Sequence, residues 1–342
     1  MKYRLLKAVL PMLLLTGCAA EKAKEPPMRT AELFAMDTYM TLKASGEGAE
    51  AALDAASARI RELEELFSVT KEDSELNRIN HSGGMPMPVS NDTAVAVGTA
   101  LAVGRDTDYA LNIALYPVVQ AWGFTTGSYQ IPSEETLRAL LVNTDPKRIV
   151  LDGNVIFIPP EYQLDLGAVA KGYAGDQVTD IFTQYGITSG IVSLGGNVQA
   201  LGTKPDGSRW TVGITDPAAP DSLLGTVAVA DCAVITSGSY ERFFEGEDGR
   251  RYWHILDPAD GCPADSGLSS VTVIGKNGAR CDALSTALFV MGTEKAAAYW
   301  KAERNFGMIL VTDDGRILVT EDIASDLTTE NGRETEVLHG DG

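Results

Sequence analysis

Asp282, Ser285 and Thr286 break an apolar run near the C-terminus, CDALSTALFVMG at residues 281–292. The run reads as a short helix, and residues four apart on a helix share a face, so Asp282 and Thr286 project together. A carboxylate beside a hydroxyl supplies two hard oxygen donors, suited to Mg2+ or Ca2+ rather than zinc. The pair also has a purely structural reading, with Asp282 as a helix cap and Thr286 bonded back to the helix carbonyls. A second stretch, DLGAVAKGYAGD at residues 165–176, is expected to end a strand at Asp165, turn at Gly167 and open a helix near Ala168. A helix N-terminus of this kind can receive an anion. Lys171, one turn in, either reaches a phosphate or pairs with Asp165. The spacing is neither Gly-x-Gly-x-x-Gly nor a P-loop, and any strand-to-helix turn can look this way. In SLGGNVQALG, residues 193–202, adjacent Gly195 and Gly196 allow backbone to approach a ligand closely, or simply make a tight turn or a bulge. His254, one of three histidines, lies in a β-rich run between Trp253 and Ile255. It is either packed and hydrogen-bonded or a general acid or base, since only histidine titrates unperturbed near neutrality.

The elements that must hold these residues mix helices with hairpins and show no strict βαβ alternation, which makes the fold class α+β. Leu53, Ala56, Ile60, Leu63 and Phe67 recur at steps of three and four, the mark of an amphipathic helix. Residues 73–80 predict a short helix opened by an acid and a serine, and residues 91–107 an Ala/Val-rich one. Residues 109–124 read as a buried loop with a helical turn. Residues 34–44 look like a first strand. Hairpins are expected around Asp152-Gly153 and Asp314-Gly315. Strands are expected within residues 190–202, 209–215, 225–238, 251–257 and 269–275, and a further helix near 293–303. Residues 323–342 are polar and read as a loose tail.

The chain has 342 residues and a formal net charge of −19. Nucleic acid is excluded as a partner on that balance, because binding it needs concentrated Lys and Arg. Residues 1–17 have the form of a secretory signal: Lys2, Arg4 and Lys7, then a short apolar core, too short to span a bilayer. Their removal takes three of the 28 basic and none of the 47 acidic side chains, leaving a net charge of −22. The ending Leu-x-Gly-Cys resembles the lipobox of bacterial lipoproteins, in which Cys18 is lipidated. Residues 18–30 then form a polar, Pro-containing tether, residues 31–322 the domain and residues 323–342 the tail. Cys232, Cys262 and Cys281 match no zinc spacing, and at least one of them is unpaired within the chain.

Taken together, MDTYM, DLGAVAKGY, SLGGNVQALG, TSGSYERFF, HILDPADGCP and SVTVIG…CDALSTALFVMG resemble, in order and approximate spacing, the ApbE-type flavin transferases. The resemblance covers nearly all of residues 30–320. It implies an ApbE-like mixed fold of β-sheets with packed helices, forming a single catalytic unit. It also implies a reaction: FAD is split at its pyrophosphate with a divalent cation, FMN passes to a Thr or Ser hydroxyl of a target protein, and AMP leaves. By resemblance, Asp282, Thr286 and the backbone carbonyl of Ala168 hold the metal, Mg2+ or else Ca2+ or Mn2+, with Ser285 assisting. Met36, Asp165, Lys171 and Leu256 lie against FAD, and His254 is the base that activates the acceptor. The implied acceptors are exported proteins of membrane redox systems, and the implied location is extracytoplasmic, anchored to the membrane through lipid on Cys18. Two positions depart from the family pattern: Leu111-Asn112 stands where a Phe-Asp pair is common, and Thr70 where an aromatic is common. Both places line the flavin in relatives, which leaves Ala110, Leu111 and Asn112 to contact it through backbone or amide. An FAD pyrophosphatase using water in place of the acceptor, a lipoprotein that carries FAD without reacting, and a generic solute-binding lipoprotein, which leaves the ordered motifs unexplained, are the rival expectations.

Overall fold

Three apolar clusters organise the chain, and the elements are best followed through them. A computed structural model describes residues 27–340. It begins with β1 (Met28–Ala35), β2 (Thr38–Ser45), α1 (Ala49–Phe67), α2 (Glu75–Asn80), β3 (Met87–Pro88), α3 (Asn91–Asp106), α4 (Tyr116–Ala121) and α5 (Glu134–Leu141). Next come β4 (Val150–Asp152), β5 (Val155–Phe157), α6 (Ala170–Gln184), β6 (Ser189–Leu194), β7 (Asn197–Gly202), β8 (Trp210–Asp216), β9 (Ala219–Val229) and β10 (Cys232–Gly238). The chain continues through β11 (Phe243–Glu245), β12 (Arg251–Trp253), β13 (Leu268–Gly275), α7 (Gly278–Glu303), β14 (Gly307–Thr312), β15 (Ile317–Thr320), β16 (Leu327–Thr329) and β17 (Glu336–Leu338). This mixture of helices and sheets is the expected α+β class.

Nine strands form the central sheet in the order β1-β2-β6-β7-β10-β13-β14-β15-β17, with β17 parallel to β15. Side chains alternate between its faces, as the strand period demands. Ala233, Ile235, Val271, Val273, Met308 and Leu310 face the helices and join the main cluster with Ile60, Leu63 and Phe289. Val234, Ile274, Ile309, Val311, Ile317 and Val319 face the other way, onto Trp210, Val212, Leu224 and Val227 of the three-stranded sheet β16-β9-β8. Strands buried on both faces are near-continuous apolar runs, which is how MILV at residues 308–311 reads. The third cluster is small: Leu115, Val118, Trp122, Phe124, Leu137 and Leu256, with Phe244 and Tyr252 packed on it.

The helix predicted from Leu53 to Phe67 is α1, with all five periodic residues buried. Ser74 caps α2 by accepting from Asn77 N–H at 2.9 Å. Several expectations are corrected. The stretch 34–44 is a hairpin, not one strand: Met36 and Asp37 turn the chain with φ of 49° and 59°, a left-handed pair made without glycine or asparagine. Asp165 does not end a strand. Asn80 stands in for a neighbouring strand there, donating to Leu164 O at 2.9 Å and accepting from Leu164 N–H at 2.7 Å, while Asp165 N–H donates to Ile113 O at 2.8 Å. In the segment 251–257 only β12 is a strand. Last, residues 323–342 are not simply loose, because β16 pairs with β9 and β17 with β15. Short polar segments become strands where a neighbour offers an unpaired edge, which composition does not reveal. The tether likewise ends early, since β1 starts at Met28. The signal segment and Cys18 lie outside the described residues. Among the described residues no helix is long and apolar enough to cross a membrane, and Cys232, Cys262 and Cys281 are free thiols.

Candidate active site

α6 and α7 touch closely enough to build one corner of a cavity. Gly172 makes this possible: a Cβ there would stand 2.2 Å from Gly278 O and 2.7 Å from Asp282 Cβ. Asp176, on α6, satisfies the first turn of α7 by accepting from Gly278 N–H at 2.7 Å and Ala279 N–H at 3.0 Å. Asn277 is the N-cap, accepting from Arg280 N–H at 2.7 Å. Asp282 is therefore not a cap. Its carboxylate is 4% exposed and accepts, through Oδ2, from Gly172 N–H at 2.9 Å, the one hydrogen bond it receives among the described residues. Nor is Thr286 bonded back to the helix, because its hydroxyl lies 3.3 Å from Ser237 Oγ. Ser285 makes the back-bond instead, to Asp282 O at 2.8 Å, and sits 2.8 Å from Ser237 Oγ. It is fully buried behind the wall.

The cavity this corner opens into has a volume of about 990 Å3, within the range of small-molecule sites. Met36, Ala110, Leu111, Asn112, Asp165, Ala168, Lys171, His254, Leu256, Asp282 and Thr286 all line it. Of the twelve site residues read from the sequence within the described region, only Ser285 does not. Asn112 reaches the cavity with its amide already engaged, donating to Thr144 O at 2.8 Å and accepting from Ala114 N–H at 2.9 Å. Glu241, Arg242, Tyr116 and Asn197 complete the wall and were not singled out by sequence reasoning. Glu241 and Arg242 stand in TSGSYERFF, so the motif was visible while the role of those two side chains was not.

Electrostatics in the cavity follow from enclosure. Several of its polar groups have protein around them on most sides yet open onto the cavity. Burial raises the Asp165 carboxyl above its usual range, against the Gly167 N–H that it accepts at 2.8 Å and the charges of Arg242 and Lys171. Burial also pushes Glu241 up to about 7, with the Asp282 charge adding to the rise and Lys171 and Arg242 opposing it. For His254 the direction reverses: burial, then the positive charges of Arg242 and Lys171, bring it down to about 4. The imidazole is therefore neutral at pH 7. Its Nδ1 lies 3.2 Å from Arg242 O. A carbonyl only accepts, so Nδ1 carries the proton and Nε2 has a free lone pair. Arg242 in turn donates from Nη2 to Phe124 O at 2.9 Å, tying the histidine's support to the third cluster.

The lining carries four carboxylates, Asp37, Asp165, Glu241 and Asp282, against two fixed cations, Lys171 and Arg242. A site of that balance accepts a polyanion only together with added positive charge. No trio of His, Cys, Asp or Glu poised for a metal occurs among the described residues. Asp282 and Thr286 offer one carboxylate and one hydroxyl, the partial oxygen set that suits Mg2+ when phosphates supply the remaining ligands.

A family model described as the ApbE family matches residues 36–310. The chain belongs to the ApbE family. Among ApbE relatives, the FAD:protein FMN transferase of Klebsiella pneumoniae (strain 342) is 36% identical over 266 residues, covering 76% of this chain and 82% of the relative. That of Treponema pallidum (strain Nichols) is 33% identical over 285 residues, 78% of each. Solved ApbE structures agree in fold. The ApbE protein of Thermotoga maritima superposes with a TM-score of 0.82 at 29% identity, covering 90% of this chain and all of that one. The flavin transferase ApbE of Vibrio cholerae gives 0.81 at 28%, covering 88% and 99%.

Proposed function

We propose that this chain transfers FMN from FAD to a Thr or Ser hydroxyl of an exported target protein and releases AMP. The observation that carries this reading is His254, a neutral imidazole with a free Nε2, in the same cavity as Asp282, Thr286 and Lys171. Nε2 takes the proton of the acceptor hydroxyl as its oxygen bonds to the phosphorus on the FMN side of the anhydride. The bond from that phosphorus to the bridging oxygen breaks, and its electron pair leaves with AMP. Lys171 and the first turn of α6 face the phosphates with positive charge. The apolar wall of Leu111, Ile113, Tyr116, Val119 and Leu256 suits a flat ring and excludes water from it.

Asp282, Thr286 and the backbone of Ala168 would hold the divalent cation, with Ser285 fixing the hydroxyl partner of Thr286 from behind; Mg2+ suits this donor set, and Ca2+ or Mn2+ are the alternatives. When bound, such a cation neutralises anhydride charge and polarises the phosphoryl group. The reading extends to location: a protein lipidated at Cys18 acts on the outer face of the cell membrane or in the periplasm, where exported redox proteins are its acceptors. Mass analysis of the N-terminal peptide from membranes tests that part.

The test of activity uses the full-length protein, FAD, Mg2+ and an acceptor domain carrying an exposed Thr. The expected result is an FMN-sized mass gain on the acceptor with equimolar AMP, both stopped by EDTA. AMP and free FMN with an unmodified acceptor would instead make the protein a pyrophosphatase, and bound FAD with no AMP a carrier.

A further inference from the structure

Tyr39 is 81% exposed, the most exposed large apolar side chain among the described residues, and Phe34 is 60% exposed. They stand directly opposite each other on β2 and β1, rings edge to face with centroids 5.2 Å apart. The solvent face of an edge hairpin ordinarily carries polar residues, as Thr30, Glu32 and Lys43 do here. The aromatic pair steadies the Met36–Asp37 turn, yet most of both rings stays in water, which marks a contact surface. Strand register fixes where that surface lies. Residues opposite each other on neighbouring strands share a face, and so do residues two apart along one strand. Tyr39 therefore shares its face with Phe34 and Thr41, Thr41 with Ser193 on β6, and Ser193 with Val198 on β7. Ser193 and Val198 line the cavity. Tyr39 and Ser193 are diagonal neighbours on adjacent strands, about 7–8 Å apart. The pair thus stands just outside the cavity, on the sheet face onto which the cavity opens. Next to it the rim is bare of side chains. Gly195 N–H donates to Tyr39 O at 3.2 Å, and Gly195 and Gly196, both exposed, have φ of 60° and 94°. A Cβ on Gly196 would meet nothing within 4 Å, so the space above this turn is open. A glycine rim lets another main chain lie close against it. A small ligand held inside the cavity gains nothing from rings outside it, whereas a polypeptide that must deliver a hydroxyl into the cavity does.

We propose that Phe34 and Tyr39 dock the acceptor protein: an apolar side chain of the acceptor covers the two rings while its neighbouring main chain crosses the Gly195–Gly196 turn and carries the hydroxyl residue into the cavity. The inference rests on the transferase reading, and the test separates the two. Tyr39→Ala and the double variant Phe34→Ala/Tyr39→Ala are made in the full-length protein and assayed with FAD, Mg2+ and the acceptor domain carrying an exposed Thr. The expected result is a KM for the acceptor raised about tenfold in the single variant, the loss typical of an aromatic anchor, and further in the double one. The rate at saturating acceptor and the FAD dissociation constant stay at their wild-type values. Tyr39→Phe, which keeps the ring, keeps the wild-type KM. Damage to the fold would instead lower the rate and FAD affinity together. An unchanged acceptor KM in both alanine variants overturns the proposal. In that case, loss of a wild-type dimer in sedimentation would assign the face to a second copy of this chain, and loss of adhesion to phosphatidylglycerol vesicles would assign it to the membrane. FAD affinity that falls in step with the rise in KM also overturns it, by placing the pair in the FAD site. A wild-type protein that cleaves FAD but modifies no acceptor sinks the transferase reading, and the docking surface falls with it.

Discussion

Gly172→Ala tests whether the contact between α6 and α7 positions the cation-binding carboxylate. The new methyl would sit 2.2 Å from Gly278 O, 2.6 Å from its carbon and 2.7 Å from Asp282 Cβ, where ordinary contact begins at 3.4 Å. Two of these three atoms are backbone, so no rotamer change relieves the clash. The helices must separate by roughly 1 Å. Overpacking of this kind costs about 1–3 kcal/mol. Stretching the Gly172 N–H bond to Asp282 Oδ2, a bond to a charged acceptor, removes about 1.5–3 kcal/mol more. Alanine returns about 1 kcal/mol in helix propensity. The net loss is roughly 1.5–5 kcal/mol. Asp282 also shifts by a distance that can cost about 100-fold in rate. Urea unfolding reads the first effect, and turnover against Mg2+ concentration reads the second, as a higher cation requirement. A variant with an unchanged urea midpoint and an unchanged Mg2+ dependence would refute the argument that this glycine sets the position of Asp282.

Asp282→Ala should abolish cation-dependent turnover while circular dichroism stays native; full activity at limiting Mg2+ would remove Asp282 from the cation site. His254→Ala should bind FAD normally and transfer about 100- to 10,000-fold more slowly, whereas weaker FAD binding at unchanged turnover would make His254 a binding residue. Because His254 loses its proton near 4, the wild-type rate should hold level from pH 5 to 8 rather than fall below 6.5. Glu241→Gln addresses stability. Glu241 holds its proton more tightly folded than unfolded, so its contribution is fully present below about 4.5 and is lost as pH rises to about 7. The glutamine variant should therefore gain on wild type as pH rises through that window. His254 runs the other way, its folded value of about 4 lying below 6.5, so its contribution grows with pH between the two. Melting temperatures of both variants from pH 4 to 8 check the opposite slopes.

Much of this was legible in the sequence because period and chemistry coincide. α1 declared itself through its repeat, and Asp282 and Thr286 through their spacing on one helical face. Ser285 was legible as a polar break but not as a wall residue: it points at Ser237 on β10, and only the packing of that strand decides the matter. The Met36–Asp37 turn gave little signal: aspartate takes a left-handed conformation readily, but methionine does not, and no glycine or asparagine stands beside it. Glu241 and Arg242 stand together in the turn between β10 and β11, Asn197 opens β7, and they meet only through the sheet order, in which β7 and β10 are neighbours. The departure at Leu111-Asn112 proved interpretable in structure alone, where the amide of Asn112 is committed to backbone on both sides.

The sheet carries one more consequence, for where the chain can be cut. The segment that defines the family, residues 36–310, omits β1, which covers one side of β2, and β15, β16 and β17 at the far end. A fragment trimmed to those bounds would leave β2 and β14 as raw edges. The first carries Met40, Leu42 and Ala44, and the second is apolar from Met308 to Leu310. Uncovered apolar edges recruit strands from other molecules. β15 is the strand that covers β14, and the polar segment after residue 322 in turn covers β15 with β17 and β9 with β16, so a fragment that keeps these strands covered has to run from Met28 to at least Leu338.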